Sequence, residues 1–183
     1  TTSRNEMAEP LVDYILLAEF DIDTGSTVRH QYPAPIPGYK NDWFAELMLP
    51  EGAHNRDSDW TYIFLNRDQQ QMDEKIWINA NAEVKPASSS SERFMYGINL
   101  VQTKMDTTVR RGAIVKAMAI FSRYHYTDIF RDPLRIALET YFEAKDVSVL
   151  ENLYQTLNGI STKQIPCPNY LEQNVFAREV AYY

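Results

Sequence analysis

Histidine, cysteine and aspartate side chains are the residues of this sequence that could do chemistry. A histidine held beside a serine or cysteine could serve as the base of a nucleophilic hydrolase. The candidate bases His30, His54 and His125 are far apart in the chain, and no G-x-S-x-G motif presents a nucleophilic serine. Cys167, the single cysteine, lies between prolines in the segment IPCPN. We therefore expect no catalytic residues, and a small hydrolase that uses His125 or an acidic pair is the alternative from another functional class.

Metal and phosphate binding have equally little support. Histidine pairs at the spacing of zinc ligands do not occur in the sequence. The pairs Asp21 with Asp23 and Asp57 with Asp59 could hold magnesium or act as paired carboxylates. Both pairs flank predicted turns, where aspartate accepts backbone hydrogen bonds, and we prefer that interpretation. Because the six glycines are scattered and form no phosphate-binding loop, we expect neither a metal nor a cofactor.

The composition describes a folded protein that avoids polyanions. A chain of 183 residues, 44% hydrophobic and 13% aromatic, can form one domain with a full core. Its 18 basic and 25 acidic residues give a net charge of -7, which disfavours nucleic acid and anionic lipid surfaces. No segment approaches the roughly 20 apolar residues of a membrane span, and a single cysteine suits a reducing compartment. We expect a cytoplasmic protein that does not insert directly into membranes.

Alternating apolar residues predict a β-hairpin at the start of the chain. Residues 11–22 carry apolar side chains on both faces, so this strand should be covered on both sides. The turn DTGS contains Gly25, which accepts positive φ. Residues 27–33 then return as a shorter strand that Pro33 stops.

A short helix and three more strands follow. The segment NDWFAELMLPEG predicts a helix capped by Asn41 or Asp42, with its four large apolar side chains, Trp43, Phe44, Leu47 and Met48, mainly in the core. The third strand, residues 59–67, should be covered on both faces around Ile63 and Phe64. Residues 68–92 are polar and predict a long excursion. The fourth and fifth strands lie in RFMYGINLVQTKMD and RGAIVKAMAIFSRY, and the fifth is again two-sided.

Two helices close the pattern. Asp132 could cap a helix with Pro133 in its first turn, and apolar residues then repeat at three and four positions. SVLE, residues 148–151, predicts a capping box for a helix that Gly159 ends. The predicted fold is α/β, with a central, mainly antiparallel five-stranded sheet and helices on both faces. We place this domain at residues 1–160 and a linker or the start of the next segment at 161–183.

The local motifs occur in the order found in upstream DENN domains. The segments LLAEFDIDTGSTVRHQYP, LMLPEG, WTYIFLNR, RFMYGINLVQ and KAMAIFSRYHYTDIF resemble that family's F-D-x-x-x-G, Y-P, F-P-x-G and S-R-x-P-x-F words. Residues 109–142 are more specifically similar to the N-terminal docking domain of fungal Arf-GTPase-interacting, DENN-related polarity factors. Two departures are Met48-Leu49 in place of the usual aromatic residue before Pro50, and His125 where a proline is usual. The resemblance covers residues 11 to about 160.

This resemblance implies a longin-like sandwich and a non-enzymatic module that docks on a GTP-loaded Arf-type small GTPase in polarised vesicle traffic. It places the protein in the cytoplasm, peripheral at a polarised cell cortex or plasma membrane through its partner, within a larger DENN-related chain. His125 would belong to the transition from strand to helix. The alternative is the upstream half of a DENN-type Rab guanine-nucleotide exchange factor.

Exposed apolar residues predict where a partner binds. In KIWINANAEV, alternation separates Trp77 from Ile76 and Ile78, so either face supplies an apolar anchor. The helix after residue 40 and the turn near residue 110 are the other predicted surfaces. The predicted partner-binding residues are Ile76, Trp77, Ile78 and Asn79, then Trp43 and Phe44, then Arg110 and Arg111.

Overall fold

The computed structural model describes residues 10–52, 55–66, 94–106, 112–125 and 127–160. Within these ranges the elements follow the predicted order of two strands, a helix, three strands and two helices. A 3-10 helix, Thr127–Phe130, leads into the second α-helix. The bounds are β1 Tyr14–Asp21, β2 Gly25–Tyr32, α1 Asn41–Met48, β3 Ser58–Asn66, β4 Phe94–Met105, β5 Ala113–Ser122, α2 Arg131–Ala144 and α3 Ser148–Asn158.

The five strands form one antiparallel sheet in the order β2-β1-β5-β4-β3. β1 and β2 make the predicted hairpin, with Gly25 at φ +77° in its turn, although the two strands are equal in length. Among the described strands, β5 lies at the centre, and β2 and β3 form the two edges. This arrangement brings residues from distant parts of the chain into register.

Each face of the sheet carries its own core. On one face Ile15 and Leu17 of β1 pack with the buried side chains of α2 and α3. On the other, Leu16 and Ala18 pack with Phe44 and Met48 of α1. The α/β fold, with helices on both faces and β1 covered on both sides, is therefore confirmed. The longin-like label stays a prediction.

The α1 side of the sheet depends on a glycine in β4. A Cβ at Gly97 would lie only 2.5 Å from Cε1 of Phe121 and 3.1 Å from the backbone oxygen of Ile63. The hydrogen at this position lets the Phe121 ring lie against the strand, where it contacts the ring of Phe44 at 5.7 Å between centroids. Glycine here serves close packing.

The helix caps differ from the prediction. α1 follows Lys40 without a side-chain cap, and Asn41 Oδ1 instead accepts a hydrogen bond from Gln31 Nε2. Asp132 lies inside α2, because the 3-10 helix already supplies the preceding turn. Ser148 donates from its backbone nitrogen and hydroxyl to the Asp146 carboxylate. Local motifs therefore marked the helix starts to within a few residues but named the wrong caps.

Two predictions of burial are half wrong. On α1, Phe44 and Met48 are buried, whereas Trp43 and Leu47 are 40% and 38% exposed. On β3, Ile63 is buried but Phe64 is 68% exposed. Of the β3 side chains, Trp60 alone packs against the core under α2 and α3, and Phe64, further along the same face, stays exposed.

Candidate docking surface

The two described histidines lie on different parts of the sheet. His30 stands on β2 opposite Leu17 of β1. His125 follows β5, is exposed, and meets the ring of Tyr96 edge-on, with 6.0 Å between the ring centroids. Because β1 and β5 separate β2 from β4, the structure does not bring these two side chains together. His54 and Cys167 lie outside the described residues.

The aspartates near turns bind backbone groups. Asp21 Oδ1 accepts hydrogen bonds from the backbone nitrogens of Asp23 and Thr24 at 2.8 and 3.1 Å, and these bonds lower the pKa of Asp21. Asp59 accepts from the Trp60 nitrogen. The turn interpretation is confirmed for Asp21. Asp59 lies within β3, and its other carboxylate oxygen pairs with Arg56 at 2.7 Å. In the described ranges no group of three or more histidine, cysteine or acidic side chains is placed to hold a metal ion.

The predicted partner-binding residues are only partly within the described ranges. Residues 76–79 and both Arg110 and Arg111 lie outside them. Trp43 is on the surface, with its ring 5.0 Å from that of Tyr39 and 5.2 Å from that of Phe44. Phe44 is wholly buried, which leaves only Trp43 of that pair accessible to a partner.

None of the helices in the described part of the chain is long and apolar enough to span a membrane.

An exposed aromatic surface larger than that of Trp43 lies where β3 pairs with β4. We call it the edge aromatic surface and define it as Tyr62, Phe64, Phe94 and Tyr96. Phe64 is paired with Tyr96, and Asn66 with Phe94, so strand alternation puts the four rings on the α2 side of the sheet. Their exposed fractions reach 44% for Tyr62 and 68% for Phe64. The rings of Phe64 and Tyr96 meet edge-to-face at 5.8 Å.

A polar network holds one end of this surface in place. The Tyr62 hydroxyl donates to Asp128 Oδ1 at 2.9 Å and accepts from Arg131 Nη2 at 2.7 Å. The Arg131 guanidinium also lies over the Trp60 ring, 5.0 Å from its centroid. The hydrogen bond to Tyr62 raises the pKa of Arg131, so the guanidinium stays protonated. Tyr62 therefore presents its ring in a fixed orientation.

The opposite end of the sheet holds an ionic cluster. Glu19 accepts hydrogen bonds from Lys116 Nζ and from the Tyr141 hydroxyl at 3.1 Å, and it pairs with Arg29 at 3.4 Å. Lys116 is only 6% exposed and lies over the Tyr141 ring. Burial, together with the charge of Glu19, raises the pKa of Tyr141 to about 12. A groove of about 510 Å³ opens above the cluster, but its buried charges are already paired with one another. We therefore assign the cluster a structural role.

Acid should weaken this cluster. Burial raises the pKa of Glu19, but Lys116, Tyr141 and Arg29 together outweigh it and hold the pKa below the usual 4.5. A depressed pKa stabilises the fold above the unfolded value and loses that contribution as the pH falls through the folded value. We expect the free energy of unfolding to decrease as the pH is lowered past about 4.5. Glu19→Gln should make the free energy of unfolding less dependent on pH in this range. Urea unfolding of both proteins across this range measures the difference, and identical pH dependence would contradict it.

Comparison with known proteins places this fold beside a family of docking domains. Residues 14–91 match a family model described as the docking domain of Afi1 for Arf3 in vesicle trafficking. The chain resembles the Afi1 docking domain. This match runs from β1 through β3 and ends before β4. It confirms the resemblance read from the sequence motifs and supports an Arf-docking role, as a protein-interaction module, in vesicle traffic.

A curated relative supports the same assignment. An AFI1-like protein of Schizosaccharomyces pombe is 28% identical to the chain over 147 residues. The alignment covers 80% of this chain but 23% of the relative, so the chain spans about a quarter of the length of that protein.

Proposed function

We propose that the chain is a non-enzymatic docking module for a GTP-loaded Arf-family small GTPase in polarised vesicle traffic. The observation that carries the proposal is the match of residues 14–91 to the Afi1 docking domain for Arf3. The described histidines and aspartates lend no support to the hydrolase alternative, since His30 and His125 lie apart, Asp21 binds turn backbone, and Asp59 binds the Trp60 nitrogen and Arg56. The module acts in the cytoplasm as part of a larger DENN-related chain, and it reaches the polarised cortex through its partner.

The nucleotide state of the GTPase should decide binding. Small GTPases reorder their switch segments when GTP replaces GDP, and an effector contacts those segments. We expect the chain to bind Arf3 loaded with a GTP analogue at least about tenfold more tightly than Arf3 loaded with GDP, which corresponds to about 1.4 kcal/mol. Isothermal titration calorimetry on the two loaded forms measures both affinities.

The same preparation distinguishes an effector from an exchange factor. Release of a fluorescent GDP analogue from Arf3, and from a Rab GTPase as the control, is followed with and without the chain. An effector leaves the release rate unchanged. Equal affinities for the two nucleotide forms would contradict the effector proposal, and faster release from the Rab would indicate the upstream half of a DENN-type exchange factor.

A further inference from the structure

Among the described residues, part of the outer edge of β3 has no backbone partner. The backbone oxygen of Asp57 accepts a hydrogen bond from the Thr103 nitrogen of β4. The odd-numbered residues that follow along β3 therefore direct their backbone groups towards β4. Asn66 instead directs both backbone groups to the Tyr39 hydroxyl, at 2.9 and 3.0 Å. Because alternate residues of an antiparallel strand face the same way, Tyr62 and Phe64 direct their backbone groups outward. Within the described ranges neither has a backbone partner on that side.

Tyr62 and Phe64, whose outward backbone groups have no partner among the described residues, also carry the most exposed rings of this edge. Tyr62 and Phe64 are 44% and 68% exposed, and Phe64 is the more accessible. Residues 60–66, WTYIFLN, contain neither a charged residue nor a proline. Soluble proteins normally protect edge strands with such residues, because an apolar free edge recruits another strand. Within the described ranges this edge of β3 is therefore suited to pairing with a strand of a partner.

The partner that fits is the GTPase rather than a second copy of the chain. β3 lies inside the matched residues 14–91, whose described role is docking for Arf3. Two copies meeting edge to edge would bring together two net charges of -7, which oppose each other.

Among the described residues of the matched range, Trp43 is a further exposed aromatic residue, and it fits less well. Trp43 already packs on Tyr39 and Phe44, and it lies on a helix, whose backbone groups bond within the helix. Tyr62 is already held by Asp128 and Arg131, so ordering its ring costs little on binding.

We propose that the GTPase docks along the outer edge of β3. An extended segment of the GTPase pairs with the backbone of Tyr62 and Phe64 and continues the sheet, and its apolar side chains pack against the two rings. This inference rests on the proposed function, because it assigns the surface at which the same partner binds. Arg131 and Asp128 form the polar rim of that surface.

The first test removes the most exposed ring. Phe64→Ser should weaken binding to GTP-analogue-loaded Arf3 at least about tenfold. A few residues, often aromatic, carry most of the binding energy of an interface. Ile136→Ser is the matched control, since Ile136 is 56% exposed on α2 and outside the matched residues. It should bind within about twofold of the parent. Calorimetry gives the affinities, and circular dichroism and thermal melts check that both variants fold.

The second test reads the backbone of the unmodified chain and needs no variant. The amide hydrogens of Tyr62 and Phe64 should exchange rapidly in the free chain and at least about tenfold more slowly in the complex, as followed by residue-resolved nuclear magnetic resonance. Protection of both amides in the free monomer would show that the chain covers its own edge and would overturn the inference.

The outcomes separate this inference from the proposed function. If the parent binds loaded Arf3 and folded Phe64→Ser binds equally well, the GTPase docks elsewhere and only the inference fails. If the parent binds neither nucleotide form, the proposed function itself fails. A parent dimer that Phe64→Ser converts to a monomer, measured by light scattering, would assign the edge to a second copy and would also overturn the inference.

Discussion

Alanine in place of Phe44 should lower the free energy of unfolding by about 3–5 kcal/mol, as large-to-small changes of buried phenylalanine do. Phe44 is 0% exposed and its ring meets that of Phe121 at 5.7 Å between centroids. α1 has only eight residues and is too short to be stable alone, so packing on the sheet must hold it. Asn99 Nδ2 adds a buried hydrogen bond to the Met48 backbone oxygen at 2.9 Å. Urea unfolding measures the loss.

The matched control lies on the same helix. Leu47→Ala removes an apolar side chain that is 38% exposed, and it should cost less than about 1 kcal/mol. Alanine favours helix at both positions, so the difference between the two variants reports packing rather than helix propensity. Equal losses for the two variants would show that α1 does not rest on the sheet through Phe44.

Short-range patterns predicted most of the fold. Alternation in β1 predicted coverage of both faces, and the structure places Ile15 and Leu16 in two different cores. Gly25 supplied the hairpin turn at positive φ. These features depend on residues close in sequence, where periodicity and turn chemistry act directly. The order of elements followed from them.

The exposure of an edge strand could not be predicted in the same way. Phe64 looked like a core residue because β3 is apolar on both faces, yet its burial depends on which strand lies at the end of the sheet. That position is set by β4 pairing with both β3 and β5. Only after the topology is known does the WTYIFLN sequence stand out as an unprotected edge. Spacing on α1 likewise showed a helix but not that Phe44 faces the sheet and Trp43 faces outward.

Ionic contacts between distant strands were also missed. Lys116 and Glu19 are 97 positions apart in the chain and meet because β1 pairs with β5. Neither residue carries a motif that marks it as buried. The predictions for residues 76–79 and for Arg110 and Arg111 stay predictions, since those positions lie outside the described residues.

Removing the Asp13 carboxylate should be the most damaging single change among the ion pairs described. The Asp13 side chain is 8% exposed and that of Arg123 15%. Oδ2 of Asp13 accepts from the Arg123 backbone nitrogen at 2.8 Å and Oδ1 from Arg123 Nη2 at 2.6 Å, so one carboxylate binds both the chain and the charge. Asp13→Ala leaves a largely buried guanidinium without this carboxylate, at a cost of about 3–5 kcal/mol.

Chemistry at the same position separates the charge from the hydrogen bonds. Asp13→Asn keeps an oxygen that can accept from the Arg123 backbone nitrogen but loses the negative charge. Its free energy of unfolding should therefore lie between those of the parent and Asp13→Ala. The exposed pair of Arg135 and Glu139 on α2 is the control, with side chains 46% and 42% exposed. Glu139→Ala should cost less than about 0.5 kcal/mol, because surface pairs are screened by water.

A double-mutant cycle then shows where the energy of the buried pair resides. If Arg123→Met restores part of the stability lost in Asp13→Ala, the cost came from the charge left behind rather than from a lost attraction. This outcome is expected, because the methionine side chain can fill the space of the arginine stem without a charge to solvate. Urea unfolding of the four proteins gives the coupling energy. A loss for Asp13→Ala no larger than that for Glu139→Ala would contradict the burial of this pair beside β1 and the end of β5.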